Sequence, residues 1–174
     1  MPLTDPQRAT LLKAINPNRV KQDPRGFSHV EAFDVIAHLS RVFGFEGWDK
    51  EVKSLSCIFD EHVEWTNRGG EKKQGWDVAY ACVVRLVIKT VDGREITHSE
   101  DAATGSATHQ PTHADAHDLA IKDAVSSALK RCAKDLGDQF GLSLYADGMT
   151  EAFVNKVIPY EQTPAGRIRE ENGL

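Results

Sequence analysis

The residues best suited to do chemistry lie in the second half of the chain. Between Leu119 and Lys134, four bases (Lys122, Lys130, Arg131 and Lys134) stand against one acid, Asp123, which leaves +3 on a segment of helical periodicity. Lys130 and Lys134 are one turn apart and Arg131 is adjacent, so one helix edge can meet successive phosphates. On charge alone, the same cluster also reads as a solvated helix face. Just upstream, His109, His113 and His117, with Asp115 among them, have the four-residue spacing of a metal-binding helix. Pro111 breaks such a helix and no cysteine lies nearby. The expectation is therefore a polar loop before the helix, whose histidines hydrogen-bond phosphate or a neighbouring protomer in place of zinc. Asp60, Glu61 and Glu64 could hold a nuclease metal, but they lie on a hairpin strand without a matching basic pattern and read as a solvated face. Trp48, Trp65 and Trp76 could stack on bases. Trp48 is expected in the core, while Trp65 and Trp76 flank a hairpin tip and have the better claim to exposure.

The sequence holds no GxxxxGK[ST] phosphate loop, which disfavours ATP-driven strand exchange, and Gly105-Ser106 is too short to cradle a nucleotide. Neither a cofactor nor a catalytic residue is expected. With a net charge of −5, any nucleic-acid site must be local, because overall charge repels a polyanion. At 174 residues and 40% hydrophobic, the chain is long enough to bury one sizeable core. No apolar run reaches the ~20 residues of a membrane span, and no signal-like start is visible, so a cytoplasmic location is expected. Cys57, Cys82 and Cys132 are widely spaced and odd in number, which reads as three reduced core residues.

The elements that must position these groups follow from periodicity. Asp5-Pro6 opens a short N-terminal helix that Asn16-Pro17 ends. A second helix runs from Ser28 to Phe43 with Gly44 as its stop, and Phe27 to Glu31 can equally be a short strand leading into it. Val52 to Val63 forms a strand region that turns at Asn67-Arg68-Gly69-Gly70. The return strand alternates Val78, Tyr80, Cys82, Val84, Leu86 and Ile88 with a second, largely apolar face, so it is expected to be central. Asp92-Gly93 then turns into a third strand from Glu95 to Ala103. The small, polar stretch Ala102 to Asp115 is expected as a loop. A long amphipathic helix follows, with its apolar stripe on Ile121, Val125, Ala128, Leu129 and Cys132. The fold class is α+β: a three-stranded antiparallel meander packed on a long helix, with flanking N-terminal helices.

Three segments, read in order, carry a family resemblance. The first is Phe43-Gly44-Phe45-Glu46-Gly47-Trp48. The second is Val83 to Lys89 with its Asp92-Gly93 turn and the following Glu100-Asp101. The third is Ala124-Val125-Ser126-Ser127-Ala128-Leu129-Lys130-Arg131-Cys132-Ala133-Lys134, leading into Leu136-Gly137-Asp138-Gln139-Phe140-Gly141. Together they cover the chain to about Tyr145 and resemble the annealing domain of the Rad52 recombination family, in the form found in bacteriophages.

The resemblance implies a β-β-β-α protomer that assembles with copies of itself into a ring and holds single-stranded DNA in an outer groove. On this likeness, residues 1–146 would be the DNA-annealing and oligomerisation domain; composition makes 147–174 a short C-terminal helix, with an apolar stretch at Phe153 to Ile158, and a disordered tail. The family's groove-lining bases fall on Lys130, Arg131 and Lys134. A basic position before the first strand falls on Lys21 or Arg25, and a second DNA surface at the hairpin tip corresponds to Lys72 and Lys73, for which a soluble turn is an equal reading. Where family members often carry lysines before the long helix, this chain has His109-Gln110-Pro111-Thr112-His113. The implied function is ATP-independent annealing of complementary strands in homologous recombination and repair. A single-strand-binding protein or an exonuclease is a candidate partner, and the location is the bacterial cytoplasm if the chain is phage-encoded. Two rivals are a double-stranded RNA-binding module and a metal-dependent nuclease.

Overall fold

The computed structural model describes residues 3–157. Helix α1 (Asp5–Leu11) starts one residue earlier than Asp5 suggests, because Thr4 is its N-cap and exchanges hydrogen bonds with Gln7 in a capping box. Strands β1 (Val20–Gln22) and β2 (Ser28–Val30) pair antiparallel as a small hairpin, so the residues before α2 (Ala32–Phe43) are a strand and not the first turn of that helix. The main sheet is an antiparallel meander in the order β3-β4-β5, formed by β3 (Trp48–Thr66), β4 (Lys72–Lys89) and β5 (Glu95–Gln110). Helix α3 (His113–Lys134) packs across β4 and β5. Among the described residues, no helix is long and apolar enough to cross a membrane.

The central strand is β4: Val78, Cys82, Val84, Leu86 and Ile88 are buried towards the helices, joined by Val35 and Leu39 of α2 and Leu129 and Cys132 of α3. The Phe43 to Trp48 motif works as a corner. Gly44 has a φ of 82°, which favours glycine, and a Cβ on Gly47 would fall 2.0 Å from the Phe43 carbonyl oxygen. Trp48, half-buried against the core, then donates its indole N–H to the Ser40 hydroxyl (3.3 Å).

Four expectations change. Strand β5 continues to Gln110, through most of the stretch expected as a loop. Its inward residues Ala103, Gly105 and Ala107 are small because α3 lies so close: a Cβ on Gly105 would sit 2.1 Å from the Ala124 nitrogen. The helix face opposite is accordingly an alanine row, Ala116, Ala120, Ala124 and Ala128, while Ile121 and Val125 are only half-buried. Cys57 is exposed on β3, unlike the buried Cys82 and Cys132. Residues 147–157 form no helix, and the rest of the expected C-terminal helix and tail lies outside the described residues.

His38 on α2 is buried against Phe140, with ring centroids 5.0 Å apart. Burial first, and then the Arg19 and Arg41 charges, push its pKa down to about 4. A neutral folded histidine with an unfolded value near 6.5 contributes stability that is complete above about pH 6.5 and is lost as pH falls towards 4, on the order of 3 kcal/mol. Urea denaturation at pH 7.5 and 4.5 should show a larger acid loss in the wild-type protein than in His38→Leu. Equal losses in both would dismiss His38 as the cause.

Candidate nucleic-acid interface

The C-terminal half of α3 turns its basic edge into a groove of about 800 Å³. Lys130, Arg131 and Lys134 line it together with Ser127, Phe27, His29 and Tyr145. The opposite wall is the β1–β2 hairpin, which contributes Gln22, Gly26 and Ser28. The three bases that the sequence marks therefore meet on one concavity.

They are not equivalent. Lys130 is half-buried and has no ion-pair partner among the described residues, which leaves its ammonium available to an anion. Arg131 donates from Nε to Asp101 Oδ1 (3.1 Å). One of its five N–H groups is thus used and the terminal amino groups are left over. Lys134 lies 3.5 Å from Asp101 Oδ2 and 2.9 Å from Asp135 Oδ1. Partial burial favours a protonated Asp101, but the Ala102 N–H and the charges of Arg131 and Lys134 outweigh it and hold the carboxyl below the ordinary carboxylate range. Burial alone would lower Lys134, yet Asp135 and Asp101 hold it above the usual ammonium value. Arg131 is raised, chiefly by its hydrogen bond to Asp101. Asp101 thus pins two of the three cations against β5 in fixed positions.

Two exposed aromatic side chains border the same groove. Tyr145, 68% exposed, closes a 3-10 turn (Ser143–Tyr145), and Phe27, 66% exposed, projects from the hairpin. Cations beside exposed aromatic faces are the composition of a single-strand platform, phosphates on the former and bases on the latter. The sequence points to tryptophan for stacking and marks neither ring. Trp65 and Trp76 are half-buried and stack on His109 and His113, with centroids 4.1 and 3.9 Å apart.

Lys21 and Arg25 are exposed on the hairpin at the groove's rim, but neither side chain lines the cavity. Arg25 sits 3.4 Å from Asp23 and 5.6 Å from the centroid of Phe27, a cation over the ring. Lys72 and Lys73 lie elsewhere, around a second concavity of about 410 Å³ at the β3–β4 tip with Trp65 and Gln74. Lys73 pairs with Glu71 at 3.1 Å. Cys132 Sγ lies 3.1 Å from the Val84 carbonyl oxygen, which fixes where the helix end meets β4. From there to Lys72 the strand runs about 40 Å at ~3.3 Å per residue. The hairpin lysines therefore form no part of the helix-edge groove.

The chain's residues 6–162 match the model of the Rad52/22 family double-strand break repair proteins. Among curated proteins, it is 29% identical over 145 residues to the DNA repair and recombination protein RAD52 of Eremothecium gossypii, covering 81% of this chain and 30% of that protein. It is 31% identical over 118 residues to the DNA repair and recombination protein rti1 of Schizosaccharomyces pombe, covering 68% of this chain and 28% of the relative. With rad22 of the same yeast, the identity is 29% over 143 residues, covering 79% and 28%. The chain thus spans somewhat under a third of the length of these relatives.

Proposed function

This chain belongs to the Rad52/22 family of double-strand break repair proteins, and from that premise we propose that it binds single-stranded DNA and anneals complementary strands in recombination without nucleotide hydrolysis. The observation that carries the reading is the groove itself, where Lys130, Arg131 and Lys134 meet the exposed rings of Tyr145 and Phe27. Base pairing supplies the free energy of annealing, so the protein has only to hold strands extended with their bases presented. The phosphate contacts are indifferent to sequence, so binding should be as well.

The sheet supports self-association. In the order β3-β4-β5, both outer strands keep one edge unpaired among the described residues. Strand β3 exposes Val52, Leu55, Ile58 and Phe59 along its length. Copies joined side by side through such edges would repeat one small basic groove into a continuous belt, which reconciles DNA binding with a net charge of −5. An Ile58→Lys, Phe59→Lys double variant should sediment as smaller species than wild type and anneal poorly. A wild-type protein that is monomeric at micromolar concentration and fully active would refute the assembly.

Competition binding separates this reading from its rivals. An annealing protein should favour long single strands over short ones and over an RNA duplex, and should leave labelled strands intact in magnesium. Preference for the duplex, or degradation of the strand, would overturn it.

A further inference from the structure

At the other end of α3, three side chains from two elements converge. His113 Nε2 lies 2.8 Å from Asp60 Oδ1, His117 Nε2 lies 3.3 Å from Asp60 Oδ2, and the two histidine nitrogens are 2.9 Å apart. We propose that Asp60, His113 and His117 bind one zinc-class divalent ion, tying the edge strand β3 to the first turns of α3.

The backbone is built for this convergence. The histidines are one turn apart and share a face of α3, which Thr112 caps after Pro111. Asp60 comes from a strand more than fifty residues away, and the β-bulge at Ile58 aims it. Cys57 pairs with Tyr80 and Phe59 with Ala79, so Ile58 is an extra residue and Asp60 falls opposite the inward-facing Val78. Without the bulge, residue 60 would point to the other face of the sheet.

The donor spacing fits a tetrahedral ion. Bonds of ~2.0 to 2.1 Å place donors about 3.3 Å apart; the separations here are 2.8 Å to Asp60 Oδ1, 3.3 Å to Asp60 Oδ2 and 2.9 Å between the histidine nitrogens, so the side chains need part by only a few tenths of an ångström to admit the ion. Two imidazoles and one carboxylate suit zinc, whereas calcium and magnesium take oxygen ligands. The second nitrogen of the ligand His117 also has a partner: Nδ1 lies 2.9 Å from the Tyr80 hydroxyl, and with Nδ1–H donating to that oxygen, Nε2 is free for metal. Trp76 stacks on His113 with ring centroids 3.9 Å apart and orients that ring. The side chains of Asp60, His113 and His117 are 35%, 45% and 27% exposed, which leaves a fourth position open to water. His109, which the sequence groups with these two, is stacked on Trp65 instead.

The site lies roughly 20 to 25 Å along the helix from Lys130, at ~1.5 Å per residue, so it stands apart from the DNA groove and its test does not depend on annealing. Tag-free full chain, stripped with chelator, would be titrated with zinc by calorimetry and with cobalt by visible absorption. The expected result is one ion per protomer with a dissociation constant on the order of 1 μM or tighter, and a tetrahedral-type cobalt spectrum. Asp60→Asn and His117→Ala should each weaken binding ~100-fold or more, Tyr80→Phe about 10-fold, and His109→Ala not at all. Apo Asp60→Asn keeps the shape of an exposed side chain, and its unfolding should match apo wild type. Absence of saturable binding in the wild-type chain, or equal binding by Asp60→Asn, would reduce the cluster to a hydrogen-bonded trio and overturn the proposal.

Discussion

A Lys130→Ala, Arg131→Ala double variant is expected to fold and assemble as wild type yet bind single-stranded DNA weakly at moderate salt, with partial recovery as salt is lowered. Both side chains lie outside the buried row of α3, so the core is untouched. The Arg131–Asp101 pair is lost, but its partners are 44% and 21% exposed and Asp101 keeps Lys134 and the Ala102 N–H, so the stability cost should stay within ~1 kcal/mol. Each phosphate contact removed should lower the slope of log affinity against log salt by roughly 0.7 per protomer, equally on all sequences. Repetition around an assembly multiplies the loss. Filter binding across a salt series measures both quantities. An assembled variant with wild-type affinity and slope would leave the helix edge a solvated face, and loss of assembly would make Arg131 an interface residue.

The second large effect is on folding. Gly105→Val should abolish the native state at 37 °C, because a Cβ there falls 2.1 Å from the Ala124 nitrogen and 2.6 Å from the Ala120 carbonyl oxygen, and neither backbone atom can yield alone. Helix α3 would have to lift off β5 and expose Val78, Ala107, Ala116 and Ala120. Overpacking commonly costs ~1 to 3 kcal/mol, and a valine against helix backbone belongs at or above the top of that range. That is a large share of the ~5 to 15 kcal/mol holding a domain together. Thermal unfolding followed by circular dichroism checks it. A midpoint within a few degrees of wild type would show that the sheet and helix are not in the contact described.

The same contact explains what the sequence could and could not disclose. Strand β4 was legible because its alternation is built from Val, Leu and Ile, and α3 because large apolar residues recur at helical spacing. The second half of β5 alternates just as strictly, with Ala103, Gly105 and Ala107 inward and Thr104, Ser106 and Thr108 outward. Small residues carry little hydrophobic signal, however, and the stretch reads as a loop. Their smallness is the record of close packing, not of irregularity. The α3 stripe was misplaced for the same reason, since alanines fill the seam and Ile121 and Val125 sit at its margin. The β1–β2 hairpin was half visible, as an alternative start to α2.

For the site, the basic edge was legible because three cations share one helix face, and the structure sets them on one groove. The coupling of Arg131 and Lys134 to Asp101 spans some thirty residues and leaves no local trace. Tyr145 and Phe27 leave no signal in the sequence, because each stands alone, outside any repeat or motif. The histidine spacing is visible in the sequence beside Asp115, whereas the carboxylate that meets His113 and His117 is Asp60, brought from across the sheet by a β-bulge.

The most direct test of the proposed activity is an annealing time course with two complementary labelled oligonucleotides, in the presence of chelator and without nucleotide. The proposed mechanism predicts that the wild-type protein accelerates annealing well above the spontaneous rate, that ATP adds nothing, and that Lys130→Ala, Arg131→Ala loses most of the acceleration at moderate salt. A wild-type protein that leaves the spontaneous rate unchanged, or accelerates it only when ATP is hydrolysed, would contradict it.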